Sequence, residues 1–141
     1  MHLAEDTAQR SKDPNTKVGA CFVKDKRVLS LGYNGAPSGF PDEEVPITHS
    51  DNILLNKSSY MCHAELNAIL NFRGNLTELK GSTVYVTLSP CHDCMKAMAQ
   101  IGVKEIIYRD TFHKADVINL AFLIGTKCGI NIRKLGEDNA N

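Results

Sequence analysis

The stretch STVYVTLSPCHDCMKAMAQIGVKEIIYRDTFHKADVINLAFLIGTKCGINIRKL, residues 82–135, decides the fold because strand patterns and helix patterns alternate along it. Its apolar runs predict strands at Ser82–Leu88, Lys104–Arg109 and Gly129–Leu135, and helices at His92–Ile101 and Ala115–Ile124. Gly102 occupies the usual position of a glycine after a helix C-terminus. A helix that connects two strands of one sheet favours a parallel pairing, so we expect the last two strands to be parallel.

The N-terminal half adds a hairpin and a second helical segment. A first helix is predicted at about His2–Ser11, and its abrupt start suggests that part of the element is missing. Two apolar runs, Val18–Val23 and Val28–Tyr33, are joined by the polar turn KDKR, which is typical of a β-hairpin. Residues 34–60 read as a long loop, in which NILLN could form a helical turn, and a helix follows at about His63–Phe72. The pattern predicts an α/β fold with a mixed sheet of about five strands and helices on both faces.

Length and charge limit the kind of protein. The 141 residues predict one domain, at 1–136, followed by a polar tail at 137–141. Lys plus Arg and Asp plus Glu both number 16, so no net positive charge is available to bind nucleic acid, and a small ligand is favoured. We find no apolar run long enough for a membrane span and no signal-peptide pattern, which favours a cytoplasmic protein. Five cysteines, an odd number, favour metal binding or catalysis over disulfides.

The segment SPCHDCM, residues 89–95, is the first that carries chemistry. Pro90 suits the start of a helix, which places Cys91 and Cys94 three positions apart on one helical face. Their two thiolates can therefore meet one metal ion. A Cys-x-x-Cys pair alone is ambiguous, since it also occurs in redox dithiols and in structural zinc sites.

His63 and Glu65 resolve part of this ambiguity. His63 precedes Cys91 by 28 positions, enough for a helix, a turn and a returning strand, so the two helix starts can lie side by side. One histidine and two cysteines with an open fourth position form a catalytic zinc site, at which water is activated at neutral pH. Glu65 is not needed as a ligand, and at the first, irregular turn of the helix it can reach that water. A carboxylate that moves protons there predicts a hydrolytic deaminase.

The pattern H-A-E followed by P-C-x-x-C is the signature of the zinc-dependent nucleobase deaminases. Across nearly the whole chain, from about residue 8 to residue 134, matching segments are similar to the deoxycytidylate deaminases, which convert dCMP to dUMP. These segments are RSKDPNTKVGA (10–20), GYNG (32–35), CHAELNAI (62–69) and PCHDC (90–94). The resemblance implies a cytidine-deaminase-like three-layer fold. It also implies one catalytic Zn²⁺ per subunit, held by His63, Cys91 and Cys94, with Glu65 as the proton shuttle.

The resemblance also implies substrate and effector residues. Asn34 would approach the sugar hydroxyl, the Ser89 backbone would meet the amino group of the base, and Ser11 and Tyr108 are candidates for the monophosphate. Members of this family commonly form hexamers that dCTP activates and dTTP inhibits. The long loop would then serve the effector site together with Gly32, Tyr33 and Gly35.

Other interpretations stay open at this stage. The chain could be a deaminase of another base, such as cytidine or tRNA adenosine, or a non-enzymatic zinc-stabilised module in which Cys62 or Cys128 closes the metal site. Under the deaminase interpretation Cys62 points away from the metal, and no second zinc is expected, since the long loop holds only His49. The remaining residues of interest have structural explanations: core positions for Cys21 and Cys128, surface or helix-end positions for His2, His92 and His113, and a solvated loop for Asp42–Glu44.

Overall fold

The computed structural model describes residues 1–112 and 114–137 as a five-stranded sheet with four α-helices. The strands are β1 (Gly19–Lys24), β2 (Arg27–Tyr33), β3 (Thr83–Leu88), β4 (Glu105–Asp110) and β5 (Asn131–Lys134). The helices are α1 (His2–Ala8), α2 (Ala64–Asn71), α3 (His92–Gln100) and α4 (Ala115–Lys127). His113 and most of the predicted polar tail lie outside the described residues.

The sheet is mixed, as the sequence predicts. Its strand order is β2-β1-β3-β4-β5, with β1 antiparallel to both β2 and β3. β4 and β5 are parallel, which confirms that prediction, and β3 also pairs with β4 in parallel. The two helices that connect these parallel strands, α3 and α4, pack against each other.

The predicted hairpin forms around a two-residue turn. Asp25 and Lys26 have φ values of 51° and 64°, and Lys24 pairs with Arg27 across the turn. Positive φ at both central residues is the conformation that matches the twist of the two strands. The hairpin places β2 at the edge of the sheet.

Two close contacts show which helix covers which face. A Cβ atom on Gly19 would collide with the backbone of α1 at Ala4, and one on Gly32 would collide with the backbone of α2 at Ala64 and Ala68. Gly19 and Gly32 belong to adjacent pairs of the β1–β2 ladder and so point to opposite faces. α1 therefore covers one face and α2 the other, which gives the predicted three layers.

The main core lies between the sheet and the layer that contains α2, α3 and α4. Alternate residues of the central strands point into it, and α3 contributes two methionines that are fully buried. Its fully buried members include Phe22, Leu79, Val84, Val86, Met95, Met98 and Ile106. Because α2 and α3 pack on this same core, the first residues of both helices come together above the sheet.

The segment between β2 and α2 contains short helical turns. Three 3₁₀ helices occur there, at Asp42–Glu44, Ile53–Leu55 and Lys57–Ser59, and the second of them confirms the helical turn predicted for NILLN. Gly35 and Cys62 form an antiparallel bridge through two backbone hydrogen bonds of 3.0 and 2.7 Å. This bridge holds the two ends of the segment beside each other. No helix in the described residues is both long and apolar enough to cross a membrane.

Some predicted boundaries and one burial prediction are wrong. α1 ends at Ala8, because the N–H groups of Arg10 and Ser11 bond to carbonyls only three positions back. β1 begins at Gly19, because the N–H of Val18 donates to the Asn34 side chain. Cys128 is exposed, since it is the residue that ends α4 rather than a core position of the next strand. Cys21 is buried, as predicted.

Candidate active site

The candidate active site forms where α2 and α3 begin. His63 is the residue before α2, with φ −74° and ψ 155°, and Cys91 is the residue before α3, with φ −75° and ψ 169°. Both residues are extended, which turns their side chains off the helix axes. Cys94 follows in the first turn of α3, and its N–H donates to the Cys91 sulfur over 3.4 Å. The helix-start positions that the sequence predicts are confirmed.

The three side chains converge on one point. His63 Nδ1 lies 3.4 Å from Cys91 Sγ and 3.5 Å from Cys94 Sγ, and the three ligand atoms all lie within 4.8 Å of one another. Zinc–sulfur bonds of about 2.3 Å and zinc–nitrogen bonds of about 2.0 Å at tetrahedral angles place nitrogen and sulfur about 3.5 Å apart. The cluster therefore has the donor types and the spacing of a tetrahedral zinc site.

The protonation of the metal-free cluster is uneven. The pKa of Cys91 is lowered to about 4, first by the hydrogen bond from the Cys94 thiol and also by His63. The same hydrogen bond and burial raise the pKa of Cys94. The pKa of His63 is raised to about 8, first by its hydrogen bond with Cys91. Metal ligands of these types bind deprotonated, so the cluster gives up its remaining protons when a metal ion binds.

Glu65 lies beside this cluster in the first turn of α2. It is only 4% exposed, and its carboxyl group lies beside the Cys94 thiol. Burial raises the pKa of Glu65 above its ordinary value, against the opposing effects of its own backbone N–H and of His63. Positions i and i+2 of a regular helix point about 200° apart. This geometry does not apply to His63, because His63 precedes the helix and has an extended backbone. The side chains of His63 and Glu65 can therefore point to the same site.

Asn34 and Ser11 are hydrogen-bonded to each other just after the end of β2. The Asn34 side chain accepts a hydrogen bond from the N–H of Val18 over 2.8 Å and donates one to the carbonyl of Thr16 over 2.9 Å. Ser11 Oγ donates to the Asn34 carbonyl over 2.9 Å. Both residues are buried, so their orientation is fixed by the protein before any ligand binds.

Ser89 and Tyr108 lie near the carboxyl ends of β3 and β4. The Ser89 N–H donates to the carbonyl of Asp110, and its hydroxyl accepts from the N–H of Phe112, each over 2.8 Å. Ser89 thus holds the backbone at the point where the chain turns towards Cys91. Tyr108 packs against Phe122 of α4, with ring centroids 5.5 Å apart. Tyr108 therefore belongs to the core cluster. No hydrogen bond among the described residues connects it to the metal ligands.

The three residues predicted for an effector site have different surroundings. Tyr33 and Gly35 line a cavity of about 440 Å³, together with Arg10, Phe40 and Met61. Gly32 instead faces α2, where no side chain would fit between the two backbones. Gly32 therefore has a packing role that its sequence context did not indicate.

The sequence reasoning missed a buried ion pair at the floor of this cavity. Lys57 Nζ lies 3.1 Å from Asp13 Oδ1, and their side chains are 7% and 4% exposed. Asp13 belongs to the turn cluster SKDPN, in which an aspartate commonly bonds to backbone N–H groups two or three residues on. That signal could have singled out Asp13. Lys57 carries no local signal, because its burial depends on the folded loop.

The residues proposed to close a structural zinc site are not in the cluster. Among the described residues, one group of three or more potential ligands has its ligand atoms within 4.8 Å of one another, and it consists of His63, Cys91 and Cys94. Cys62 is committed to the Gly35 bridge through its backbone, and Cys128 is exposed at the end of α4. The acidic run Asp42–Glu44 is exposed, and Asp42 pairs with Lys12 over 2.6 Å. His2 is fully exposed, and His92 is the first residue of α3.

A mixed sheet with a His/Cys/Cys cluster and a buried glutamate at two helix starts is the arrangement of the zinc-dependent nucleobase deaminases. The sequence profile of the cytidine and deoxycytidylate deaminase zinc-binding region matches residues 1–110. The chain belongs to this cytidine and deoxycytidylate deaminase family. The family match and the cluster together fit one zinc ion per subunit.

Individual relatives agree with this assignment. Deoxycytidylate deaminase from Homo sapiens is 44% identical over 137 residues, which cover 95% of this chain and 76% of the human protein. The enzyme of the same name from Enterobacteria phage T2 is 36% identical over 149 residues, covering 81% of this chain and 79% of the phage protein. The crystal structure of dCMP deaminase from the cyanophage S-TIM5, in complex with dCMP and dUMP, has a TM-score of 0.73 and 32% identity, and covers 95% of this chain and 92% of that one.

Proposed function

We propose that this protein converts dCMP to dUMP and ammonia by hydrolytic deamination. The observation that carries the proposal is the convergence of His63, Cys91 and Cys94 beside the buried carboxyl of Glu65. The names of the relatives and the dCMP and dUMP bound to the cyanophage enzyme support the choice of substrate. Neither a redox dithiol nor a closed structural zinc site would need a buried glutamate at this position.

The proposed roles follow from the geometry of the cluster. His63, Cys91 and Cys94 would hold the zinc ion, which when bound would act as a Lewis acid and lower the pKa of the attacking water. Glu65 removes one proton from that water and delivers it to the ring nitrogen N3 of cytosine. The water oxygen bonds to C4. Glu65 then transfers the second proton to the amino group, and the C4–N bond breaks to release ammonia.

The surroundings of Glu65 suit this exchange of protons. A carboxyl group acts best as both base and acid when its pKa lies close to the working pH. Burial shifts the pKa of Glu65 in that direction. Because the group is almost fully removed from solvent, its proton is passed to the substrate rather than to bulk water.

The substrate contacts remain predictions. We place the sugar hydroxyl at Asn34, whose amide is held in one orientation by the backbone of Thr16 and Val18. The Ser89 backbone is proposed to face the departing amino group, and Ser11 and Tyr108 remain candidates for the phosphate. Of these, Asn34 has the strongest support, because a residue whose orientation is already fixed can bind a hydroxyl without further ordering.

Regulation and assembly are proposed on the same basis. We propose that dCTP activates and dTTP inhibits the protein through the cavity that Tyr33 and Gly35 line, and that the subunits form hexamers. Residues 1–136 are proposed to act as a single deaminase domain that works in the cytoplasm. If both triphosphates leave the rate at a fixed dCMP concentration unchanged, the regulatory proposal fails and the catalytic proposal stands.

One assay tests the proposed reaction. Ammonia release from dCMP, dCTP, cytidine and dAMP is measured side by side with the zinc-loaded protein. We expect turnover of dCMP and at most slow turnover of the other three. Faster deamination of cytidine or dAMP would assign another base or nucleoside class, and no release from any of them would favour a binding module.

A further inference from the structure

The buried ion pair between Lys57 and Asp13 is not used by the proposed reaction. The two residues are 44 positions apart, and both side chains are almost completely removed from solvent. Burying two charges is costly unless each is well paired and hydrogen-bonded. A pair at this depth therefore has to be supported by its surroundings, and it indicates that the position has a function.

Asp13 organises the turn that leads into β1. Its Oδ1 accepts hydrogen bonds from the N–H groups of Asn15 and Thr16, over 2.8 and 3.1 Å, in addition to Lys57. The N–H of Asp13 itself donates to Ser11 Oγ over 3.2 Å. One carboxylate oxygen with three donors fixes the backbone from residue 13 to residue 16.

The same turn holds Asn34. Thr16, whose N–H donates to Asp13, accepts the Asn34 side-chain amide through its carbonyl. Ser11, which accepts from the N–H of Asp13, donates to the Asn34 carbonyl. Asn34 is thus held on two sides by residues whose positions depend on Asp13.

Lys57 also stands at the start of the segment that leads to the metal ligands. Its N–H donates to the carbonyl of Thr48 over 3.0 Å, and its carbonyl accepts from Tyr60 over 3.0 Å. Residues 57–63 then run through the Gly35–Cys62 bridge to His63. The ion pair therefore connects the segment that leads to His63 with the turn whose backbone holds the Asn34 side chain.

We propose that Lys57, through Asp13, is a positioning residue that sets the orientation of Asn34 towards the sugar hydroxyl of the substrate. This inference rests on the proposed function, because it takes Asn34 as the sugar contact. The chain of contacts runs from Lys57 to Asp13, from Asp13 to Thr16, and from Thr16 to the Asn34 amide. Lys57 itself makes no contact with the substrate in this proposal.

The first test uses the sugar hydroxyl as its probe. The deoxyribose of dCMP has one free hydroxyl, at the 3′ position, and 2′,3′-dideoxycytidine monophosphate lacks it. The kcat/KM values for both nucleotides are measured for the parent, Asn34→Ala, Lys57→Met and the double variant, each with its zinc content checked. Lys24→Met is the matched control, since Lys24 is a half-buried lysine whose amino group donates to the backbone carbonyl of Glu78 rather than to a carboxylate.

We expect the parent to prefer dCMP by about tenfold, which is the factor for one lost hydrogen bond of roughly 1.4 kcal/mol. Both Asn34→Ala and Lys57→Met should lose most of this preference, whereas Lys24→Met should keep it. In the Asn34→Ala background, Lys57→Met should add little, because residues that act through one contact are not additive. An undiminished preference in Lys57→Met, or effects of the two substitutions that multiply, would overturn the proposal.

Two further measurements keep the test decisive. If Lys57→Met does not fold, Lys57→Met with Asp13→Asn replaces it, since this pair leaves no unpaired charge buried. The double variant also lacks the Lys57 ammonium, so it should lose most of the preference for dCMP, and an undiminished preference in it would overturn the proposal. If the zinc-loaded parent deaminates neither nucleotide, the proposed function fails. The positioning role is then judged by the exchange of the Asn34 side-chain amide protons with water, measured by NMR. If these protons exchange at least several-fold faster in Lys57→Met than in Lys24→Met, the role is supported. Equal exchange rates in the two variants refute it.

Discussion

Replacing Glu65 with glutamine separates the proton chemistry from the metal site. Glutamine has nearly the same shape and fills the same buried space in the first turn of α2. It cannot take a proton from water at neutral pH, and so it cannot return one. Because Glu65 is not among the atoms of the metal cluster, Glu65→Gln should bind zinc as the parent does.

The size of the effect follows from the two proton transfers that Glu65 serves. General acid-base catalysis contributes about 10² to 10⁴ in rate. One buried carboxyl performs both transfers, and the other buried carboxylate of the described residues, Asp13, is paired with Lys57. We therefore expect a loss of kcat near the upper end, about 10⁴, which corresponds to about 5.4 kcal/mol of barrier. Stability should change little or rise, since burial disfavours the charged form that glutamine removes.

The assay measures the turnover of dCMP and the zinc content in the same sample, together with urea unfolding. Glu78→Gln is the matched control, because Glu78 is exposed and lies in a 3₁₀ turn away from the cluster. The control should retain the parent rate. A Glu65→Gln variant that keeps its zinc and works within about tenfold of the parent falls well short of an acid-base loss, and would refute the catalytic assignment.

Three further substitutions, one of them with a matched control, test the site and its support. Cys91→Ala should lose most of its zinc, and metal analysis that finds one ion per chain in this variant would remove the proposed ligand set. Gly32→Ala should destabilise the fold by an amount at the upper end of about 1–3 kcal/mol, because the new methyl group meets the backbone of α2. Gly35→Ala is the control, since Gly35 has open space around it, and it should leave the urea midpoint unchanged. Asp13→Asn should cost stability above pH 3.8 and progressively less below it. The pKa of Asp13 in the folded protein lies below this ordinary value, so its charge stabilises the fold at neutral pH and is lost in acid. A difference in stability from the parent that does not depend on pH would contradict this origin.

The elements that could be predicted from the sequence have strong local signals. Alternating apolar runs mark every strand, and the start of α3 follows from Pro90 and the Cys-x-x-Cys pair. His63 could be placed at a helix start because a helical segment follows it, and the separation of 28 positions allowed it to lie beside Cys91. The metal cluster is therefore accessible from residue types and spacing alone.

The parts that could not be predicted depend on contacts distant in sequence. Lys57 reads as an ordinary loop lysine until residue 13 is beside it. By resemblance Gly32 belongs to an effector site, and only the approach of α2 shows that a side chain is excluded there. Cys128 reads as a core residue beside the last strand, because the pattern does not show that α4 extends to Lys127. In each case tertiary packing, not local preference, determines the environment.

The distance along the chain between the metal ligands also has a consequence for folding. A metal ion bonded to His63 and Cys91 closes a loop of 29 residues that contains α2 and β3. Treated as a cross-link, closure of such a loop removes about 3.6 kcal/mol of conformational freedom from the unfolded chain at room temperature. The ion would thus act as a reversible cross-link. A chelator should therefore lower the melting temperature even of Glu65→Gln, in which catalysis is already lost.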